Sequence, residues 1–353
     1  SNYNKFYNGF KDFASQRDRI WYNSVPRSFF DDAMSAGPFE FLIAIGFSFE
    51  YVLTNLLFVP FMSGAAYNGD MATCTFGFSA QSDEARHMTL GLECIKFMLE
   101  QDPDNIPIVQ KWIDKWFWRG CRLLTLVAAM MDYMLPKRVM SWREAWNIYG
   151  VENGNALFRD LARYGIKPPM HWDDVEKSID HTSHQIMLGL YQWKFGTAFH
   201  SWTPTASDIE WLKEKYPTTF EKYYLPRWEY AIAQKEAGGE YNNFGLPKLC
   251  QVCQLPTLFT EPDDPTQLCH RETDYEGEKY HFCSDGCQHV FEQEPEKYVQ
   301  AWLPMTAMMQ EPLKGDLAAW MEWVSLEPTA AGEYASSEDK ANFEKWRKQV
   351  STD

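Results

Sequence analysis

Positive charge is what this sequence has least of. Its 33 Lys and Arg stand against 49 Asp and Glu, a formal net charge of −16. That balance excludes the electrostatic grip a nucleic-acid backbone requires of its partner. A basic leader followed by an apolar core is also missing, and the chain starts at Ser1 rather than Met. A trimmed, processed or incompletely represented chain fits that start. Eight Cys without a secretion signal do not read as a disulfide framework, so a reducing, cytoplasmic setting is expected. Long hydrophobic runs are scarce too. Only 41–66 is long enough to cross a bilayer. It carries Ser48, Glu50, Thr54, Asn55 and Pro60, and no comparable second span exists. A helix buried on all sides of a bundle explains it better than a membrane span. No internal repeat is visible.

Aromatic side chains are plentiful, at 16%, with 15 Trp and 24 Phe. They suit bulky helix packing and apolar pockets. The pattern predicts helices over 8–34, 38 to the mid-60s, 70–100, 106–135, 140–164 and 172–200, then shorter ones over 206–240. Pro38 suits a first helical turn, and Tyr67-Asn68-Gly69-Asp70 is a turn signal. Pro60 predicts a kink or a π-bulge nearby. From about Asn243 the composition shifts to Pro, Gly, Asp and paired Cys with strand-like pieces. After about residue 304 the chain is acidic and weakly patterned.

Chemistry is concentrated in Asp83-Glu84-Ala85-Arg86-His87. On a helix, Glu84 and His87 share a face and can reach one metal ion. Glu50, 34 residues upstream, is the sole charge between Phe41 and Ala66. A carboxylate inside an apolar helix is costly unless it is paired or bound to metal. The turn at 67–70 falls midway between Glu50 and Glu84, so an antiparallel hairpin brings both to one level. A Glu plus a Glu-x-x-His is half of the ligand set of a carboxylate-bridged di-iron bundle. A surface charge pair is the bland alternative. Glu278-Lys279-Tyr280-His281 matches the same pattern formally but falls in the Cys-rich, non-helical region. No other His follows a Glu at this spacing, so the second half-site is expected from a missing N-terminal portion or from another polypeptide. His181 and His184, with Asp180 alongside, read as a structural polar cluster rather than a metal pair.

Cys250-x2-Cys253 is followed after 29 residues by Cys283-x3-Cys287. Four thiolates so spaced predict a closed, structural zinc site. A redox Cys pair or a rubredoxin-like iron site is the competing reading, and His281 is a possible substitute ligand. Cys74, Cys94 and Cys121 read as small core residues.

Ser28-Phe29-Phe30-Asp31-Asp32, the helix around Phe47–Phe58 and Gln81-Ser82-Asp83-Glu84-Ala85-Arg86-His87 resemble the large subunit of bacterial multicomponent monooxygenases. The similarity is greatest to the phenol hydroxylase and propane monooxygenase branch. It covers roughly 4–304 and is most specific over 26–135. Tyr280-His281-Phe282-Cys283-Ser284 resembles a YHS-type zinc knuckle. The resemblance implies iron ligands at Glu50, Glu84 and His87. It implies supporting roles for Asp83, which would hold a ligand histidine of the other half, for Arg86, and for Gln81 as a polar neighbour. Thr54 and Asn55 would sit beside the oxygen-binding face, with Thr54 aiding proton delivery. Phe29, Phe49 and Phe58 would line a hydrophobic pocket. Thr54 bonded to a helix carbonyl and the Phe residues as plain core are the ordinary alternatives.

The expected fold is mainly α: a ferritin-like di-iron oxygenase bundle over 1–242, a zinc-knuckle module over 243–303 and an acidic tail over 304–353. The resemblance further implies insertion of one atom of O2 into phenol or another small aromatic or alkane. A propane-type enzyme, another di-iron class, or a non-catalytic zinc-bearing fragment are the rivals. Implied partners are β and γ subunits, a coupling protein, and a reductase carrying FAD and a 2Fe–2S cluster and consuming NADH.

Overall fold

The computed structural model describes residues 21–135, 137–192, 204–237, 250–255 and 270–299. Helix α1 is Trp21–Ser35. Helix α2 opens at Pro38, behind an extended Gly37, where the missing proline N–H costs nothing. It runs through an α-helical Pro38–Leu42, a π-helical Ile43–Leu53 and an α-helical Thr54–Tyr67. Helix α3, Met71–Gln101, is capped by Asp70, whose carboxylate accepts from the Thr73 N–H at 3.0 Å. Helix α4 is Asn105–Ala129, ending in a π turn at Met130–Met134. Helix α5 joins Trp142–Ala145, a π turn at Trp146–Gly150 and Val151–Leu161. Helix α6 is Trp172–Gln192, and α7 is Ala206–Lys215. Helix α8 joins a π turn at Phe220–Tyr224 to Leu225–Glu236.

These elements agree with the helices expected from the sequence wherever the residues are described. One expectation needs relocating. Pro60 lies in regular α-helix, and the widened stretch is Ile43–Leu53, wedged between α3 and α4. Pro60 needs only its own missing N–H accommodated, whereas the widened turns shift side chains at a crowded helix crossing. Among the described residues no helix is long and apolar enough to cross a membrane.

Helix α4 is the axis of the core. Trp116, Phe117 and Trp118 are fully buried on three of its sides. Phe29 of α1 meets Trp116 edge-on at 5.5 Å, and Trp172 of α6 packs at a tilt against Phe117 and Trp146 and edge-on against Phe158. Such aromatic pairs add to the burial that drives folding. The two strand-like pieces form an antiparallel hairpin, β1 Arg271–Tyr275 and β2 Glu278–Phe282, followed by α9 Asp285–Gln293 and α10 Pro295–Val299. Its two-residue loop, Glu276-Gly277, has positive φ at both positions, as a tight hairpin of this twist requires.

The hairpin and α9 do not stand apart from the helices. Their buried residues belong to the same apolar core. Charge joins them as well. Asp32 of α1 accepts from Arg119 Nε at 3.1 Å and from the Tyr298 hydroxyl at 2.6 Å, with Lys297 paired to it too. Arg119 also donates to the Val252 carbonyl at 2.9 Å and the Ser28 carbonyl at 2.6 Å. A buried guanidinium satisfied on several sides acts as a rivet between bundle and module. The expected boundary near Asn243 and the tail from 304 lie outside the described residues.

Candidate metal centres

The hairpin of α2 and α3 is tight because two glycines face each other. A Cβ on Gly46 would sit 2.8 Å from the Gly91 Cα, so no side chain fits between the helices there. Gly46 is one turn before Glu50, and Gly91 is one turn after His87. The close crossing therefore sets the spacing of the acid–histidine cluster. His87 Nδ1 lies 3.3 Å from Glu50 Oε1 and 3.5 Å from Glu84 Oε2. One donor atom from each of Glu50, Glu84 and His87 falls within 4.8 Å of the others. Burial raises the Glu50 pKa, with His87 opposing that shift and Glu84 adding to it. Glu84 Oε2 is buried and, among the described residues, accepts no hydrogen bond. Two carboxylates and an imidazole, one oxygen still lacking a donor, make a hard anionic donor set that fits a divalent iron. They supply half of what two irons need.

Around this cluster the sequence-selected residues fall unevenly. Thr54 is buried, and its hydroxyl donates to the Phe49 carbonyl at 3.0 Å, the back-bonding arrangement. Gln81 is part-buried one turn before Glu84. Asp83 and Arg86 pair with each other at the surface. The Asn55 side chain lies outside the described residues. Phe29 is buried and 5.9 Å from Phe49, ring to ring, while Phe58 is part-buried farther along α2. Phe30 and Trp116, not singled out from sequence, complete that aromatic group. A water-sized cavity of about 20 Å3 lies elsewhere, lined by Trp118, Arg122, Thr125 and Trp142.

Away from the cluster, α3 is only partly covered among the described residues. Met71, Phe76, Phe78, Leu90 and Phe97 are each at least 60% exposed. Large apolar side chains left exposed along one helix mark surface that packs against something further.

The four cysteines Cys250, Cys253, Cys283 and Cys287 converge, all buried and all unbridged. Cys253 and Cys283 sulfurs are 3.5 Å apart, and Cys283 and Cys287 sulfurs 3.6 Å. A tetrahedral zinc with bonds of about 2.3 Å puts its sulfurs about 3.8 Å apart, so the group fits zinc closely. The pairs meet because Cys250 and Cys253 lie in a tight turn, while Ser284 caps α9 and presents Cys287 from its first turn. Arg122 is buried beside them. Burial alone would lower its pKa, but the four sulfurs raise it above its ordinary value. The signal in the sequence is Arg119-Gly120-Cys121-Arg122, two arginines one turn apart in an apolar helix. His281 is not among the sulfurs; it lies with His270 and Glu272. Cys74 and Cys121 are core residues, and Cys94 is part-buried.

His181 and His184 form the polar cluster expected of them. Their Nδ1 atoms bond the Tyr224 and Tyr133 hydroxyls, each at 2.5 Å. Burial drives the His184 pKa well below its ordinary value, which keeps that ring neutral. Asp180 pairs instead with Arg143.

A mainly helical bundle with a carboxylate–histidine cluster shared by neighbouring helices defines the ferritin-like class. Comparison with known proteins narrows this. Residues 1–102 match the profile of the methane/phenol/alkene hydroxylase family, and 259–302 match the YHS domain. The phenol 2-monooxygenase oxygenase component DmpN of Pseudomonas sp. (strain CF600) is 62% identical over 315 residues, covering 89% of this chain and 61% of that protein. The alkene monooxygenase oxygenase subunit alpha of Xanthobacter autotrophicus is 33% identical, over 79% of this chain and 56% of that one. A crystal structure of phenol hydroxylase from Pseudomonas sp. OX1, xenon-pressurized, superposes with a TM-score of 0.84 at 59% identity. That match covers 97% of this chain and 70% of its own. The chain belongs to the methane/phenol/alkene hydroxylase family, one of carboxylate-bridged di-iron monooxygenases. It spans between half and about three-fifths of the length of the curated relatives named here.

Proposed function

We propose that this chain is part of the hydroxylase large subunit of an NADH-dependent multicomponent monooxygenase that hydroxylates phenol or a closely similar small aromatic. The convergence of Glu50, Glu84 and His87 across the α2–α3 hairpin carries the reading. Identity supports an aromatic over an alkane substrate. The phenol relative is 62% identical, whereas a propane 2-monooxygenase large subunit from Gordonia is 25% identical. A non-catalytic fragment has no observation in its favour beyond the half-complete ligand set.

When bound, a di-iron pair supplies reductive activation of O2. Glu50, Glu84 and His87 would hold one side of it, and the remaining ligands come from a segment outside this sequence. That segment would cover the His87 ring, which is 54% exposed. Phe29 and Phe49 exclude water and present an apolar wall to the substrate. Thr54 keeps its hydroxyl on α2 one turn after Glu50, where it can pass a proton after releasing the Phe49 carbonyl. Asp83, on release from Arg86, would anchor a histidine of the other half. Cys250, Cys253, Cys283 and Cys287 would hold a structural zinc that clamps the module to α4. Other hydroxylase subunits, a coupling protein and a flavin and 2Fe–2S reductase would complete a cytoplasmic system.

The test is metal analysis of the purified assembly with intact mass on the same sample, followed by turnover of phenol with NADH, reductase and 18O2. Two irons and one zinc per large subunit, with one labelled oxygen in the product, are expected. Zinc without iron, in an assembly that does not oxidise phenol, would defeat the proposal.

A further inference from the structure

We propose that His270, Glu272 and His281 form an additional metal site on the outer face of the hairpin, one that takes a divalent transition-metal ion. The site follows from strand geometry. Side chains alternate along a strand, so His270 and Glu272 point to one side. Glu272 is directly opposite His281 in the β1–β2 register, which sets their side chains next to each other on that same side. The opposite face is committed to packing, with Tyr275, Tyr280 and Phe282 all against Phe291 of α9. The three polar side chains are left together, part-exposed, on the outer face.

Their donor atoms converge. His270 Nε2 and His281 Nδ1 are 2.8 Å apart. Glu272 Oε1 is 3.2 Å from His281 Nδ1 and 3.6 Å from His270 Nε2. Metal bonds of about 2.0–2.2 Å place neighbouring ligand atoms about 2.8–3.1 Å apart at right angles and about 3.3–3.6 Å apart at tetrahedral angles. All three separations fall within that span or between its two parts. The other carboxylate oxygen, Glu272 Oε2, accepts from Lys279 at 2.8 Å, which fixes the carboxylate with Oε1 turned toward the rings. The Gln251 N–H donates to the His281 carbonyl at 2.8 Å and ties the strand to the cysteine turn. Two imidazoles and one carboxylate, with positions left open to solvent, suit zinc, copper(II), nickel or cobalt rather than magnesium or calcium. The site is separate from the four thiols and from the Glu50 cluster, and it does not depend on either being filled.

Cobalt(II) is the probe, added to purified hydroxylase that retains its tightly held iron and zinc. One additional cobalt per large subunit is expected, with weak visible bands and no intense sulfur-to-cobalt band in the near ultraviolet. His270→Gln and Glu272→Gln should each weaken that uptake at least about tenfold, the scale on which even outer partners of metal ligands act. Both positions avoid Cys283, and unchanged tightly bound zinc and iron in the variants will show that the module and bundle remain folded. No uptake by the parent protein would overturn the proposal and leave a histidine pair sharing a proton beside Glu272. Equal uptake by both variants would overturn it as well, as would cobalt that appears only at the thiols.

Discussion

Replacing Gly91 with Ala isolates the contact that spaces the candidate iron ligands. A Cβ on Gly91 would lie 2.7 Å from the Gly46 Cα and 3.1 Å from the Gly46 carbonyl oxygen, both backbone atoms that cannot rotate away. Restoring ordinary contact at 3.4 Å means parting the helices by about 0.7 Å. The 3.3 Å approach of His87 Nδ1 to Glu50 Oε1 would open to about 4 Å, outside hydrogen-bond range. Two energies oppose each other. Alanine in a helix interior gains about 1 kcal/mol over glycine, while overpacking costs about 1–3 kcal/mol. The net is a loss of up to about 2 kcal/mol in stability, because the clash is backbone on both sides. Gly64→Ala is the control: its Cβ would meet only the Leu135 side chain, at 3.4 Å, so the propensity gain should survive. Denaturant unfolding and iron per chain are the assays. Gly91→Ala should lose stability relative to Gly64→Ala and at least half of its iron. Equal stability and equal iron in the two variants would refute the idea that this crossing positions the ligands.

Other outcomes follow from the same geometry. Asp32→Asn should destabilise by about 3–5 kcal/mol, since it strands the buried Arg119. Equilibrium unfolding of the variant within 1 kcal/mol of the parent, on the order of an exposed substitution, would show that the rivet is dispensable. Burial raises the Asp32 pKa, but Arg119, Lys115 and Lys297 outweigh it and hold the carboxyl at about 2, below its ordinary 3.8. A depressed folded pKa gives stability that is present above 3.8 and lost as pH falls toward about 2, amounting to about 2 kcal/mol. Asp32→Asn should flatten unfolding free energy against pH in that window; an unchanged slope there would count against it. Cys283→Ser should release zinc and lower the melting temperature by several degrees, about 2–4 °C for each kcal/mol lost; full zinc retention would refute the four-sulfur site. Glu84→Gln should empty the iron site with stability unchanged or raised, because a buried oxygen lacking a donor loses its charge. Retained iron would mean that Glu84 is not a ligand.

The helices, and the Glu50–Glu84–His87 grouping, are legible in the sequence for a simple reason. Helical periodicity and a turn midway between two carboxylates are local facts, and local facts fix which residues share a face. The cysteine spacing is equally local, and the four sulfurs do meet. Position along the chain is not enough for the rest. The widening of α2 falls at Ile43–Leu53, where it lies against α3 and α4, rather than at Pro60. Gly46 and Gly91 are ordinary helix glycines on paper; only when the two backbones touch do they become the spacer of the site. Thr54 bonds the Phe49 carbonyl, five residues back inside that widened stretch. Asp32, Arg119 and Tyr298 are far apart in sequence, and their union, which docks the cysteine module on the bundle, is an accident of no local pattern. His270 and His281 likewise meet through strand register. The sequence by itself determined which candidate ligands share a helix face or a turn; the tertiary structure decided their distances, because those are set by backbone contacts between segments remote from one another.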